Sequence, residues 1–147
     1  MDRSRPGSKH HLLTDANGTP LVVRLSAANQ ADINELYSLV DGIPPLRGRR
    51  GRPRFRARSL YADRGYDSKA HRIGLRLRRI QPFIAKRNTD NGSGLGRWRW
   101  VVERTIAWLH RYRRLRVRYE RRADIHEAFL LLAASLICWR TLKPSLC

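Results

Sequence analysis

Asp63 is the carboxylate whose place in the sequence points most directly to chemistry. It follows the apolar run Leu60-Tyr61-Ala62, which is typical of a short buried strand, and Gly65 then allows a sharp turn. A carboxylate at the carboxyl end of a buried strand lies where α/β sheets place their ligands. Helix capping is the alternative, but Asp67 and Ser68 are better placed for it. Asp63 is therefore predicted to bind a metal ion.

Glu103 is the second candidate, on a helix predicted over residues 97–113. At about 100° per residue, Arg99, Glu103 and His110 fall on one stripe of that helix. The apolar residues at 100–102 predict that this part of the helix is covered, where a carboxylate needs a cation or a metal ion. The alternative is an exposed ion pair between Arg99 and Glu103, which are four residues apart.

The charge of the chain indicates a polyanionic partner. Its 147 residues include 31 Lys and Arg against 12 Asp and Glu, a formal net charge of +19. Repulsion of that size destabilises a compact state unless a polyanion neutralises it, which favours double-stranded DNA as the partner. Seven arginines lie between residues 47 and 58, within a loop predicted over 46–58. We expect this loop to contact phosphates, through Arg47, Arg49, Arg50, Arg52 and Arg54; a solvated insertion is the alternative.

The cysteine content and the apolar runs argue against a zinc site, a disulfide framework, secretion and a membrane span. Cys138 and Cys147 have no CxxC or Cys/His partners, so neither a zinc site nor a disulfide framework is expected. The amino-terminal residues lack the apolar region of a signal peptide. The longest apolar run, Ala128 to Trp139, is too short to cross a bilayer. A cytoplasmic protein without membrane contact is the expectation.

The elements that must position the two acids follow from the hydrophobic pattern. Strands are predicted over 9–14 and 20–25, joined as a hairpin by the turn at 15–18. A short helix through Ile33 to Val40 ends at Gly42. Further strands, at 59–62 and 80–85, flank a helix at 68–79, and Pro82 suggests an edge strand. Two long helices follow, giving the order β-β-α-β-α-β-α-α. This order predicts an α/β fold with a mixed sheet flanked by helices.

Two of these helices carry apolar residues whose spacing suggests which face is covered. The helix at 68–79 is predicted to turn Ala70, Ile73 and Leu77 inward. The last helix is predicted to start at Asp124, in the cap position of a capping box with Glu127. Its residues on one face are Ile125, Phe129, Leu132, Leu136 and Trp139.

Four segments of the chain resemble DDE transposases of bacterial insertion sequences. LYADRGYD at 60–67 is similar to the block around their second aspartate, and RWVVERTIAWL at 99–109 to the block around their third acid. RPGSKHHLL at 5–13 and RRADIHEAF at 121–129 also resemble this group. The resemblance covers nearly the whole chain.

The resemblance implies a ribonuclease H-like domain in which two Asp and one Glu hold two Mg²⁺ (or Mn²⁺) ions for phosphodiester cleavage and strand transfer. Asp63 then corresponds to the second acid and Glu103 to the third, and Arg99 fits an Arg four residues before that Glu. The family also has a Tyr seven residues before the Glu and a Lys seven after it. Gly96 and His110 occupy those positions here, so His110 or Arg111 is expected to replace the Lys.

The first acid of the family has no counterpart in this sequence. Asp2 has no strand around it, and Asp15 lies in a turn. We therefore expect residues 1–147 to form one catalytic domain that lacks its first strand and needs an upstream segment. It would act on DNA in the nucleoid as a homo-oligomer. The alternatives are a non-catalytic, basic DNA-binding remnant and a ribosomal-type RNA-binding protein; the second gives no role to Asp63 or Glu103.

Overall fold

The structure, a computed structural model, describes residues 7–47, 51–86 and 95–142 and combines short strands with helices. The strands are β1 (Ser8–Thr14), β2 (Pro20–Ala27), β3 (Ser59–Ala62) and β4 (Gln81–Ile84). The helices are α1 (Leu36–Asp41), α2 (Lys69–Leu77), α3 (Gly96–Leu109), α4 (Arg113–Arg116) and α5 (Ala123–Leu142), with 3₁₀ turns at Asp32–Glu35 and Arg64–Tyr66. The predicted order of elements is confirmed, and α4 is an addition.

The predicted hairpin forms between β1 and β2. The two strands pair antiparallel from Ser8 opposite Ala27 onward. The turn between them is built on Asp15, whose Oδ1 accepts hydrogen bonds from the backbone N–H groups of Asn17 (2.9 Å) and Thr19 (2.8 Å). This arrangement confirms a structural role in the turn for Asp15.

β3 and β4 form a second, parallel pair, connected by α2. Ser59 lies opposite Gln81 and Ala62 opposite Ile84. In the described part of the chain β4 pairs with β3 alone, which confirms the edge position predicted from Pro82.

Within the described residues the strands form two two-stranded sheets, one antiparallel and one parallel. This arrangement is compatible with the predicted mixed sheet that lacks its first strand. No described strand pairs with the second edge of β1 or of β3, so no backbone hydrogen bonds between strands connect the two sheets. The sheets meet through side chains instead. Leu13 of β1 packs against the cluster that contains Leu60 of β3, and His11 Nδ1 lies 3.2 Å from the hydroxyl of Tyr66.

Two hydrophobic clusters form the core. One joins β2 to the carboxyl-terminal helices and contains Val23, Leu109, Leu115, Leu130, Ala133, Ala134 and Ile137. The other joins α1 and α2 to the parallel sheet and contains Leu36, Val40, Leu60, Leu75, Ile80 and Ile84. Each sheet therefore has its own apolar layer.

The buried face of α2 differs from the predicted one. Leu75 is fully buried, whereas Ala70 and Ile73 are exposed and Leu77 is 80% exposed. On a helix, Ile73 and Leu77 each lie about 200° from Leu75. Once Leu75 packs between α1 and the parallel sheet, both must therefore face outward.

The face predicted from the apolar residues of α5 is also largely exposed. Leu132 is 57% and Trp139 is 60% exposed, while the buried residues are His126, Leu130, Ala133, Ala134 and Ile137. Asp124 does not cap the helix as predicted, because α5 already begins at Ala123 and the Asp124 carboxylate pairs with Arg122 at 2.5 Å. With 20 residues, α5 would meet the length and hydropathy of a membrane span, although a single helix of this kind is weak evidence.

The crowding at Gly18 generates a prediction about stability. Its φ of +85° would strain any other residue, and a Cβ there would lie 2.8 Å from the buried Thr105 hydroxyl. Gly51 shares a positive φ of +109° but has nothing within 4 Å of a Cβ. Gly51→Ala is expected to lower the free energy of unfolding by about 1–2 kcal/mol through backbone strain alone. Gly18→Ala should lower it by about 1–3 kcal/mol more because of the overpacking. Urea denaturation measures both, and equal losses would contradict this contact between the turn and α3.

Candidate active site and DNA-contacting surface

Asp63 follows β3 with an extended backbone and an exposed side chain, at the strand end where it was predicted. Its Oδ1 accepts a hydrogen bond from the Gly65 N–H at 2.9 Å and so caps the turn Arg64–Tyr66. The expectation that Asp67 and Ser68 are better placed than Asp63 for capping is therefore wrong, because the Asp63 carboxylate satisfies a backbone donor of this turn and the Ser68 side chain makes no capping hydrogen bond. Asp67 instead pairs with Arg72 of α2 at 2.8 Å.

A second carboxylate, Asp32, lies near this turn. A Cβ on Gly65 would be 3.0 Å from Asp63 Oδ1 and 3.6 Å from Asp32 Oδ2, so the two carboxylates flank the same glycine. Lys9 Nζ contacts Asp32 Oδ1 at 2.9 Å. Burial raises the pKa of Tyr66, and the charges of Asp32 and Asp63 raise it further. The sequence pattern did not single out Asp32, because its nearness to Asp63 depends on how two 3₁₀ turns pack.

Glu103 lies on the exposed face of α3. Its side chain is 59% exposed and its Oε1 accepts a hydrogen bond from Nε of Arg99 at 2.8 Å; Arg99 is itself 70% exposed. The prediction that this part of the helix is covered is wrong, and the alternative of an exposed ion pair is what the structure contains. The buried residues of α3 are Val101, Thr105 and Leu109, and Glu103 lies about 200° from the first two.

α3 is held against the hairpin turn by polar contacts. The buried Thr105 hydroxyl donates to the carbonyl of Gly18 at 2.7 Å, and Nη2 of Arg104 donates to the carbonyl of Asn17 at 2.6 Å. The Arg104 guanidinium also lies 4.4 Å from the ring centre of Trp100 and 4.9 Å from that of Trp108. These contacts fix the rotation of α3 and thereby the direction in which Glu103 points.

An aromatic stack connects α3 to β3. The ring of Trp98 stacks on Tyr61 with centroids 4.6 Å apart, and Tyr61 stacks on Phe83 of β4 at 4.8 Å. Tyr61 stands two residues before Asp63, and Trp98 five residues before Glu103. The elements that carry the two candidate acids are therefore in direct contact.

The described side chains do not by themselves form a two-metal centre. Within residues 7–47, 51–86 and 95–142, no group of three or more His, Cys, Asp or Glu side chains could hold a metal ion. Asp63 and Glu103 offer the oxygen ligands that Mg²⁺ prefers, but a DDE site needs a third acid. Asp15 is engaged in the hairpin turn, and Asp2 lies outside the described residues.

The predicted DNA-contacting residues are exposed wherever the structure describes them. The basic loop is closed at its base by paired backbone hydrogen bonds between Leu46 and Arg54, at 2.8 and 2.9 Å. The exposed arginines of this loop are Arg47, Arg52, Arg54, Arg56 and Arg58, whereas Arg49 and Arg50 lie outside the described residues. His110 and Arg111 are exposed at the carboxyl end of α3. Arg99 faces solvent too, although Glu103 partly neutralises it.

A histidine cluster beside α3 was not recognised in the sequence. His10 Nε2 lies 3.1 Å from His126 Nε2, and the ring of His10 is 5.9 Å from that of His110. His126 is buried, and its Nδ1 lies 3.2 Å from Glu120 Oε2. Burial raises the pKa of Glu120, but hydrogen bonds, above all from Arg114, lower it to about 2. Burial lowers the pKa of His10 to about 4, with smaller contributions from the neighbouring histidines.

Comparisons with a family model and with known proteins all give transposases. A family model described as "Transposase DDE domain" matches residues 2–138. The "Putative transposase for insertion sequence element IS402" of Burkholderia cepacia is 65% identical over 142 residues, which cover 97% of this chain and 67% of that protein. The "Transposase for insertion sequence element IS1106" of Neisseria meningitidis serogroup B is 29% identical over 127 residues, covering 80% of this chain and 39% of that protein. No solved structure matches.

The pKa of His10 predicts acid sensitivity. In the folded chain His10 stays neutral down to about pH 4, whereas in the unfolded chain it takes up a proton near pH 6.5. The unfolded state therefore binds more protons between these values, and stability falls as the pH drops from about 6.5 to about 4. Thermal melts across this range should show a falling melting temperature, and His10→Gln should flatten the decline. An equally steep decline in the His10 variant would exclude His10 as its origin.

Proposed function

The chain belongs to the family of DDE-domain transposases, and from this membership we propose that it supplies two of the three acids of an insertion-sequence transposase. The reaction would be metal-dependent phosphodiester cleavage at the ends of the element, followed by strand transfer. Asp63 and Glu103 would be ligands to Mg²⁺ or Mn²⁺ once a third acid is present. Members of this family act on DNA, and double-stranded DNA is the proposed substrate.

The Tyr61–Trp98 stack carries this proposal. Asp63 and Glu103 are 40 positions apart in the sequence, and a shared site requires that β3 and α3 meet. The stack joins these two elements at 4.6 Å, close to both acids along the chain. The exposure of both carboxylates also suits a substrate as large as duplex DNA, which cannot enter a closed cavity.

We infer further that the chain is one catalytic domain of ribonuclease H-like fold to which another strand must be added. β1 and β3 each pair on one edge only within the described residues, and buried backbone N–H and C=O groups need partners. A strand inserted between them would join the antiparallel hairpin and the parallel pair into a single mixed sheet. If it ended in an aspartate, that side chain would lie beside Asp63.

The arginines of the basic loop, together with His110 and Arg111, would contact the phosphate backbone. Their exposure supports this role, because counterion release requires cations that can reach phosphates. Such a protein would be found with the nucleoid.

A non-catalytic DNA-binding role is the second candidate. It is favoured because, among the described residues, no three His, Cys, Asp or Glu side chains are grouped so that they could hold a metal ion. Binding to DNA cannot distinguish the two functions, since both require it. Metal-dependent cleavage of DNA distinguishes them, because only the catalytic function predicts it.

The first functional prediction concerns cleavage. The chain alone should not nick DNA carrying the ends of its element in the presence of Mg²⁺, because two acids hold a two-metal centre poorly. Fusion to the part of the Burkholderia cepacia relative that lies outside the match should raise the melting temperature and restore nicking. In the fusion, Asp63→Asn and Glu103→Gln should each abolish nicking while the melting temperature stays within a few degrees, because both side chains are exposed.

Asp124→Asn provides the matched control, since Asp124 is an exposed helical carboxylate paired with an arginine, as Glu103 is. This variant should retain nicking. Robust nicking by the chain alone would contradict the need for another strand. Retained nicking in either the Asp63 or the Glu103 variant of the fusion would remove that residue from the active site.

The second functional prediction concerns salt. Replacing Arg47, Arg52 and Arg54 with Gln should weaken duplex binding and reduce the slope of log K against log salt by up to about 3, as each lost phosphate contact removes about 0.9. Replacing Arg76, Arg79 and Arg116, which are exposed on α2, just after α2 and on α4, changes the net charge equally. That control should change the slope by less than about 1. Equal slopes in the two triple variants would show that the basic loop is only a solvated insertion.

A further inference from the structure

α5 has two apolar faces, of which the described chain covers one. Its buried side packs against β2 and the ends of α3 and α4. Six residues of the opposite side are exposed: Ile125, Ala128, Leu132, Ser135, Trp139 and Leu142. A helix that is apolar all round normally lies inside a larger assembly. Within the described residues, nothing covers this second face of α5.

The spacing of these six residues fits a second helix as the partner. They follow one another at intervals of three, four, three, four and three positions, which is the a/d pattern of a helix that packs along another helix. We call this set the α5 seam. Leu131 and Leu136, also exposed, flank it and widen the apolar strip beyond the seam itself.

The order of side chains in the seam is complementary to itself in the antiparallel direction. If two copies of α5 cross at the middle of the seam, Leu132 faces Ser135 of the second copy, Ala128 faces Trp139, and Ile125 faces Leu142. The largest side chain thus meets a small one, as dense packing requires. A parallel pair in register would instead place Trp139 against Trp139 and leave Ala128 opposite Ala128.

Charge also favours a second copy at this face. The whole chain carries +19, so most orientations of two copies repel each other. Between residues 123 and 142, however, the charged side chains are Asp124, Glu127 and Arg140, a sum of −1. Beside the seam, a groove of about 620 Å³ between β2 and α5 is lined by apolar residues such as Pro20, Leu131 and Trp139 and can accept side chains of the second copy.

We propose that the α5 seam is a homodimer interface, in which two copies of this chain pack antiparallel along α5. The contact is isologous, so each substitution in the seam acts twice. Such a dimer would contain two copies of β3 and α3, the elements that carry Asp63 and Glu103, and would form without DNA.

Sedimentation of the nuclease-treated full chain in about 0.5 M NaCl tests this interface, since salt at that level screens contacts bridged by nucleic acid but not an apolar seam. The chain should be a dimer. Leu132→Glu should raise the dissociation constant at least about 30-fold, as expected for a central interface residue. Leu77→Glu places the same charge at the 80% exposed residue of α2 and should change it less than about threefold. Circular dichroism checks that both variants are folded.

Crosslinking tests the orientation in chains whose Cys138 and Cys147 are replaced by Ala. An equimolar mixture of Leu132→Cys and Ser135→Cys variants should form a disulfide-linked dimer under mild oxidation, whereas each variant alone should crosslink much less. Rapid crosslinking of Ser135→Cys alone would overturn the antiparallel arrangement. A monomeric wild type, or a dimer unaffected by Leu132→Glu, would overturn the interface. Cosedimentation of a monomeric chain with phosphatidylcholine vesicles, lost in Leu132→Glu, would assign the face to a membrane instead.

Discussion

The docking of α3 onto the β1–β2 turn is the interaction on which the rest of the structure depends. Thr105 is fully buried, and its hydroxyl lies 2.7 Å from the carbonyl oxygen of Gly18 and 3.0 Å from that of Val101 in its own helix. A polar group in the core therefore has an acceptor in the hairpin turn. The same helix reaches β3 through Trp98. Since the two sheets share no strand pairing within the described residues, α3 and the side chains around α1 are what hold them in one molecule. The direction of Glu103 follows from this docking.

Local features could be predicted from the sequence because local chemistry determines them. The turn at Asp15, the bounds of β3 and the end of α1 at Gly42 depend on residues within a few positions. Helix faces could not be predicted equally well. Leu75 is buried because α1 and the parallel sheet surround it, which no periodicity within α2 reveals. In α5 apolar residues occur on every side, so the hydrophobic period cannot decide which side meets the protein.

For the candidate acids, too, local position could be predicted from the sequence, whereas tertiary surroundings could not. The place of Asp63 at the end of a strand follows from the preceding apolar run, and the structure agrees. The exposure of Glu103 does not follow from its apolar neighbours Val101 and Val102. Val101 is buried, and Glu103 lies about 200° away from it around the helix. The nearness of Asp32 to Asp63 requires two distant turns to pack together. A sequence can therefore nominate acids by local position, while their surroundings depend on tertiary contacts.

Two surfaces of the described chain lack a partner within it: the unpaired edges of β1 and β3, and the α5 seam. Their chemistry differs, so they require different partners. The unpaired edges of β1 and β3 offer backbone N–H and C=O groups, which another strand satisfies and an apolar helix cannot. The α5 seam offers mainly apolar side chains, which are stabilised by apolar packing and not by backbone hydrogen bonds. A strand that completes the sheet thus leaves the seam exposed, and a dimer formed through the seam leaves the sheet edges open. If both proposals hold, completion of the active site and assembly into a dimer would be separate events, linked through the packing of α3 and α5 in a common core.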